Sequence, residues 1–201
     1  PGQPQPFESD QTTHFSVMDR AGNAVSCTYT LNFSYGVGLV AEGTGVLLNN
    51  ELDDFAAKPG VPNAYGLVGG DANAPGAGKR PLSSMSPTIV FRDGKPVLVT
   101  GSPGGSRIIT TVLQVLMNVI DHGMNVAEAT EAARVHHQWL PDELRVERGL
   151  SVDTIRLLQA RGHKVEVRQA MGSTQSIART AQGFEGAADL RQAGTLAAGV
   201  R

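Results

Sequence analysis

Apolar and polar positions alternate over residues 13–17, the two-residue period of a half-buried strand. Asp19-Arg20-Ala21-Gly22-Asn23 then supplies turn chemistry, and residues 24–31 (AVSCTYTL) are rich in β-branched and aromatic side chains. Together they predict a β-hairpin. Residues 45–49 (GVLLN) are a further short buried-strand candidate. Between residues 51 and 80 the pattern breaks, because Pro59-Gly60, Pro62-Asn63, Gly69-Gly70 and Pro75-Gly76 punctuate isolated apolar side chains. A structureless stretch of that length inside a compact domain is usually functional, for example a lid. A second hairpin is predicted from residues 88–91 and 97–100 around the turn Asp93-Gly94.

The second half is helical in period. Ile108, Ile109, Val112, Leu116, Val119 and Ile120 recur three and four apart, predicting a helix over residues 107–122 with Ser106 as its cap and Gly123 closing it. A shorter helix is predicted over residues 127–134. Ser151 caps a third helix, which carries Ile155, Leu157 and Leu158 and ends at Gly162. Residues 164–167 and 174–178 read as two further strands. Strands with helices covering them predict an α+β fold or a layered sandwich. There is no internal repeat. The opening Pro1-Gly2-Gln3-Pro4-Gln5-Pro6 reads as an extended polar linker or tail, and a start at Pro1 without a leader is expected of a processed chain or a piece of a longer one.

Composition narrows the function classes. The 201 residues carry a formal net charge of -2, which excludes nucleic-acid binding through a basic surface. No apolar run approaches the ~18 residues of a membrane span. The 24 glycines and 11 prolines point to a loop-rich globular domain, short of the composition of disordered chains. Cys27 stands alone, so neither an intrachain disulfide nor a Cys-rich zinc site is available.

Several segments have residue types that carry chemistry. Gly101-Ser102-Pro103-Gly104-Gly105-Ser106 lies between a predicted strand and a helix, where backbone N–H groups and the helix N-terminus stabilise an anion or an oxyanion. It lacks the ending of a P-loop, and a plain tight turn explains it equally well. Ser83-Ser84 suits hydrogen bonds to a carboxylate, with an ordinary turn as the alternative. Glu51, Asp53 and Asp54 form an acidic cluster for an ammonium group or a divalent cation, or a solvated loop. His136-His137 near Trp139 invites a metal reading, which the absence of Cys or carboxylate at ligand spacing disfavours. Thr12 follows Gln11. A free α-amine on Thr12 would have a reference pKa of ~7.7–8.0, suited to general-base work beside its own hydroxyl.

These segments resemble the small catalytic subunit of the γ-glutamyltranspeptidase family of N-terminal-nucleophile hydrolases. The resembling stretches are QTTH at residues 11–14, TYTLN at 28–32, LLNNELDDF at 47–55 and KPGVPNAYGLVGGDAN at 58–73. They continue with KRPLSSMSPTIV at 79–90, TGSPGGSRIITT at 100–111, HHQWLPDELRVE at 136–147 and MGSTQSI at 171–177. The tail departs from the pattern: Leu190 stands where the family usually has proline. The implied fold is an αββα sandwich, incomplete here without the large subunit. Residues 1–11 would be the end of that large subunit, and residues 12–201 the small catalytic subunit.

The resemblance also implies roles. Thr12 would be the nucleophile, freed when the precursor cuts itself between Gln11 and Thr12, and Thr30 would orient it. Asn32, Glu51 and Asp54 would hold the α-ammonium of a γ-glutamyl group, Ser83 and Ser84 its α-carboxylate. Gly104 and Gly105 would form the oxyanion hole, and Tyr65 would be the gating side chain of a lid over residues 58–70. The implied reaction transfers the γ-glutamyl group of glutathione and related compounds to water, amino acids or dipeptides, with no metal or organic cofactor. The large subunit is the implied heterodimer partner and would supply an arginine for the substrate carboxylate. The implied location is periplasmic or secreted. Two other readings are a cephalosporin (glutaryl) acylase of the same fold class and a non-catalytic amino-acid-binding homologue.

Overall fold

The structure, a computed structural model, describes residues 12–200, so the expected linker over residues 1–11 and the Gln11 side of the expected cleavage bond lie outside the described residues. Thr13–Met18 (β1) and Ala24–Tyr29 (β2) form the first hairpin, with Thr13 opposite Tyr29 and Met18 opposite Ala24. Thr88–Arg92 (β3) and Lys95–Thr100 (β4) form the second. Its turn residues Asp93 and Gly94 have φ of 52° and 73°, the left-handed pair that matches strand twist in a two-residue hairpin loop. Helices Ile108–Ile120 (α1) and Val126–Glu131 (α2) follow, then the short strands Val135–His136 (β5) and Leu144–Glu147 (β6). The chain closes with Val152–Ala160 (α3), Val165–Arg168 (β7), Gln175–Thr180 (β8) and Gly183–Ala188 (β9).

The main sheet has the order β3-β4-β8-β9, and a smaller one the order β5-β6-β7, in which α3 connects the parallel pair β6 and β7. One face of the main sheet buries Leu98, Ala178 and Ala187 against Val126 of α2, with Leu116 and Val119 of α1 closing the cluster. The hairpin β1-β2 packs on β3, β4 and β8. The molecule is thus layered helix, sheet, hairpin, which is three of the four layers of an αββα sandwich.

The hairpin is inside out for a chain on its own. Its inward face is polar: Ser16 Oγ donates to the Gln175 carbonyl at 2.7 Å and Ser26 Oγ to the Thr100 carbonyl at 2.9 Å. His14 is buried on the same face, its ring nitrogens on Thr28 Oγ1 at 2.7 Å and Ser16 Oγ at 3.1 Å. Burial drives its imidazole pKa down to about 4, so it is neutral. The outward face carries Phe15, Val17 and Tyr29 at 44%, 51% and 59% exposure. Helix α1 likewise exposes Ile109, Leu113, Met117 and Ile120 on the side away from the sheet.

At the chain's end, Arg134 and Asp189 form a fully buried ion pair, and Arg191 bonds Glu147 at 2.7 Å and Asp189 at 3.1 Å. Asp189 also accepts the backbone N–H of Thr174, so each buried charge is paired and hydrogen-bonded. Leu190, where the resemblance led to an expectation of proline, is exposed just beyond β9 and disturbs no pairing.

Some expectations need correction. Ser106 does not cap a helix: it lies in a 3₁₀ turn, Gly105–Arg107, and its hydroxyl donates to Gln138 Oε1 at 2.8 Å. Helix α2 begins at Val126 and ends at Glu131, because Asn125 and Glu128 form a reciprocal capping box. Residues 45–49 form no strand, only an isolated bridge between Val40 and Leu47. Residues 51–80 are irregular as expected, apart from 3₁₀ turns at Glu51–Asp54 and Asp71–Asn73 and a bridge between Pro62 and Val68.

Candidate active site

The hairpin register that sets Thr13 opposite Tyr29 brings Thr12 opposite Thr30 one step beyond the paired strands. Thr12 is buried, and its hydroxyl donates to Thr30 Oγ1 at 3.1 Å. Thr30 Oγ1 also accepts the Asn32 backbone N–H at 2.9 Å. Two donors on one hydroxyl oxygen fix its orientation and hold the Thr12 side chain in place.

Asn32 has φ of 71°, a conformation that asparagine tolerates better than most residues. The turn directs its amide outward: Nδ2 donates to the Asn50 carbonyl at 3.2 Å, and Oδ1 accepts the Tyr65 hydroxyl at 2.8 Å. The Tyr65 ring meets Phe33 edge-on, with centroids 6.2 Å apart. The ring also lies against Gly105, where an added Cβ would sit 2.8 Å from Tyr65 Cδ1. Glycine is therefore required there twice over, by that approach and by a φ of 57°.

Thr12, Thr30, Asn32, Asp54, Tyr65, Ser83, Ser84 and Gly105 line one open pocket, together with Asn63, Leu67, Leu82, Met85, Ser106 and Ile108. The expected site residues thus converge, with two qualifications. Gly104 is not a lining residue: its φ of 134° admits only glycine, and a Cβ added there would sit 3.2 Å from Gly172 Cα. Glu51 stands behind Asp54. Both lie in the 3₁₀ turn Glu51–Asp54, and their carboxyl groups share a hydrogen bond. Burial, that bond and the neighbouring Asp54 charge push Glu51 up to about 7, and burial also raises Asp54.

The metal reading of His136-His137 finds no support in the geometry. Among the described residues no group of histidine, cysteine and carboxylates could hold a metal ion. His136 is buried between Thr110 Oγ1 at 2.7 Å and Gln138 Oε1 at 3.0 Å, and His137 faces Asp142 at the surface. Sequence reasoning missed Gln138 and took Ser106 for a helix cap; their pairing is visible only once the distant segments that carry them meet.

The pocket has a seated hydroxyl at one wall, the Asp54 carboxyl with Glu51 beside it, the Ser83-Ser84 pair, and a glycine turn running into α1, whose N-terminal end adds positive potential. That set suits an acyl compound with a zwitterionic head.

These layers are those of the N-terminal-nucleophile hydrolase fold. The sequence profile of the family described as Gamma-glutamyltranspeptidase matches residues 2–199, and the chain belongs to that family. It is 66% identical over 200 residues to the glutathione hydrolase proenzyme of Escherichia coli (strain K12), covering 99% of this chain and 34% of that protein. Among solved structures, it is similar to a chain of the Helicobacter pylori gamma-glutamyltranspeptidase T380A mutant. The identity there is 57% and the TM-score 0.85, over 90% of this chain and 100% of that one. It also resembles cephalosporin acylase from Bacillus halodurans, at 29% identity and a TM-score of 0.75, over 89% of this chain and 32% of that one. The chain spans about a third of the length of the curated relatives it matches.

Proposed function

We propose that residues 12–201 are the small catalytic subunit of a γ-glutamyl hydrolase and transpeptidase acting on glutathione and related γ-glutamyl compounds, and that residues 1–11 are the end of its large subunit. The observation that carries this reading is the buried Thr12 hydroxyl, seated on Thr30, in the same pocket as Asp54 and the Ser83-Ser84 pair.

Maturation starts with attack of the Thr12 hydroxyl on the Gln11 carbonyl. An N-to-O acyl shift gives an ester, and water hydrolyses it to leave a carboxylate on Gln11 and a free α-amine on Thr12. That amine takes the hydroxyl proton as Thr12 Oγ1 attacks the γ-carbonyl of the donor. The tetrahedral oxyanion is received by N–H groups of Gly104 and Gly105. The departing amine takes the proton back, and a γ-glutamyl ester remains on Thr12. Water then releases glutamate, while an amino acid or dipeptide takes up the glutamyl group in a new amide. Two half-reactions through one acyl-enzyme give ping-pong kinetics.

Recognition rests on charge at both ends of the glutamyl head. Glu51, Asp54 and Asn32 offer acceptors to the α-ammonium, and Ser83 and Ser84 donate to the α-carboxylate, joined by an arginine of the large subunit. A fixed orientation contributes several kcal/mol to lowering the barrier. The acid pair separates this reading from a glutaryl acylase, whose substrate head has no ammonium to hold.

The uncovered apolar faces of β1-β2 and α1 support the large subunit as partner, since exposed apolar surface of that extent marks an interaction site. No helix among the described residues is long and apolar enough to cross a membrane. By family, the enzyme works in the periplasm or outside the cell, and needs neither metal nor organic cofactor.

The test uses the complete protein and its Thr12→Ala variant, comparing release of an aniline from a γ-glutamyl anilide and the intact masses of the chains. Cleavage after Gln11 and turnover in the wild type alone are expected. A cleaved Ala variant would sink the mechanism.

A further inference from the structure

We propose that Gln138 is a positioning residue that latches the lid shut, its side-chain amide joining the Tyr65 backbone to the glycine end of α1. This inference rests on the functional reading above for what the lid covers, but the latch itself is a matter of geometry.

Gln138 lies in the irregular segment between β5 and β6, outside the pocket wall. Its Nε2 donates to the Tyr65 carbonyl at 3.3 Å and the Leu140 carbonyl at 3.0 Å. Its Oε1 faces Ser106 Oγ at 2.8 Å and His136 Nε2 at 3.0 Å. Two hydrogens meet two acceptors and two lone pairs meet two donors, so the amide is fully satisfied. Carbonyls only accept, so the amide cannot be turned over without facing oxygen with oxygen.

The same accounting fixes the histidine. Because Gln138 Oε1 only accepts, His136 Nε2 carries the hydrogen, which leaves Nδ1 to accept from Thr110 Oγ1 in the first turn of α1, a hydroxyl whose one hydrogen is shared with the Arg107 carbonyl at 3.1 Å. Burial lowers the His136 pKa and keeps the ring neutral, as this arrangement requires. Ser106 adjoins Gly105. One amide therefore joins three things: the lid backbone, the residue after the glycine pair, and, through His136, the start of α1.

Tyr65 is consequently held at both ends. Its hydroxyl is on Asn32, its carbonyl on Gln138, and its ring lies across Gly105. The next residue lies beside the same amide, since a Cβ on Gly66 would be in van der Waals contact with Gln138 Nε2 at 3.4 Å. The Asn32 bond must be lost whenever the ring swings away, but the Gln138 bond decides whether the backbone beneath it returns to the same place.

The test compares wild type, Gln138→Glu and Gln138→Met in the complete protein. Glutamate keeps the shape but sets an oxygen against two carbonyls, and methionine keeps the bulk without hydrogen bonds. Faster amide hydrogen exchange over residues 61–67 is expected in both, with exchange in β4 and β8 unchanged. KM for a γ-glutamyl anilide should rise about tenfold in Gln138→Glu, the worth of one lost hydrogen bond, and kcat should change less. Lid exchange at the wild-type rate in both variants overturns the proposal, as does a fall in kcat at constant KM. If the wild type has no γ-glutamyl turnover, the functional reading fails, and the exchange comparison still decides the latch.

Discussion

Glu51 and Asp54 stand one 3₁₀ turn apart and share a hydrogen bond between their carboxyl groups, with Asp54 on the pocket wall and Glu51 behind it. With Glu51 raised to about 7, the pair holds a proton that a bound ammonium group would displace. KM for an α-amino donor should therefore rise as pH falls below about 7, with kcat less affected, and Glu51→Gln should flatten that limb. Initial-rate pH profiles of the two proteins check this. A parallel slope in both would remove Glu51 from ammonium recognition. The stability linkage has a definite sign too: Glu51 binds its proton more tightly folded than unfolded, so the unliganded protein loses stability as pH climbs from about 4.5 to about 7.

Asp54→Asn should raise KM far more for a γ-glutamyl donor than for a glutaryl donor of the same leaving group, because only the first carries an ammonium. Equal changes for both would show that Asp54 does not read that charge.

The buried ion pairs behave in the opposite sense. The charges of Arg134 and Arg191 and the backbone N–H bonds hold Asp189 and Glu147 below the ordinary carboxylate range against the cost of burial. Their contribution is complete above that range and is lost as pH falls through the lowered values. Asp189→Ala leaves Arg134 buried without its counter-charge, at a cost of about 3–5 kcal/mol. Urea unfolding of the complete protein should show a much lower midpoint, and an unchanged one would mean that solvent reaches Arg134.

Gly101→Ala is expected to fail for a reason of space alone. The His14 ring lies against Gly101 so closely that a methyl group would overlap it, while the backbone there is not in the left-handed region. Overpacking of this kind costs about 1–3 kcal/mol. Adding His14→Ala should recover part of the loss, a coupling that thermal denaturation of the single and double variants measures. Strict additivity would deny the contact.

Thr30→Val removes the acceptor for both the Thr12 hydroxyl and the Asn32 N–H. Leaving such groups unpaired costs about 1–3 kcal/mol each, so kcat/KM should drop at least ~30-fold, mostly in kcat. Thr30→Ser keeps the oxygen and should stay within ~10-fold. Equal losses in the two variants would show that the methyl group, rather than the hydroxyl, matters at this position.

Much of this fold was legible in local pattern. Alternation over residues 13–17 and the β-branched run after it gave the first hairpin, the turn Asp93-Gly94 gave the second, and the three-four spacing of Ile108 through Ile120 gave α1. Strand β9, GFEGAA, has two glycines and no β-branched residue, so only its pairing with β8 makes it a strand. Strands β5 and β6 have two and four residues and exist through their neighbours. The Asn125–Glu128 box was present in the sequence at its usual spacing and would have corrected the start of α2. In the site, hairpin register alone sets Thr12 against Thr30. Joining Ser83-Ser84, Asp54 and Tyr65 to them took the family resemblance, because loops carry no period. Gln138 gave no local signal, since two of its four partners, Tyr65 and Ser106, lie on distant stretches of chain, and His136 and Leu140 merely flank it.

The strand that begins just after Thr12 is also the strand that turns Phe15 and Val17 to the outside. A chain with that flank uncovered would therefore be sticky along the very segment that seats the Thr12 hydroxyl.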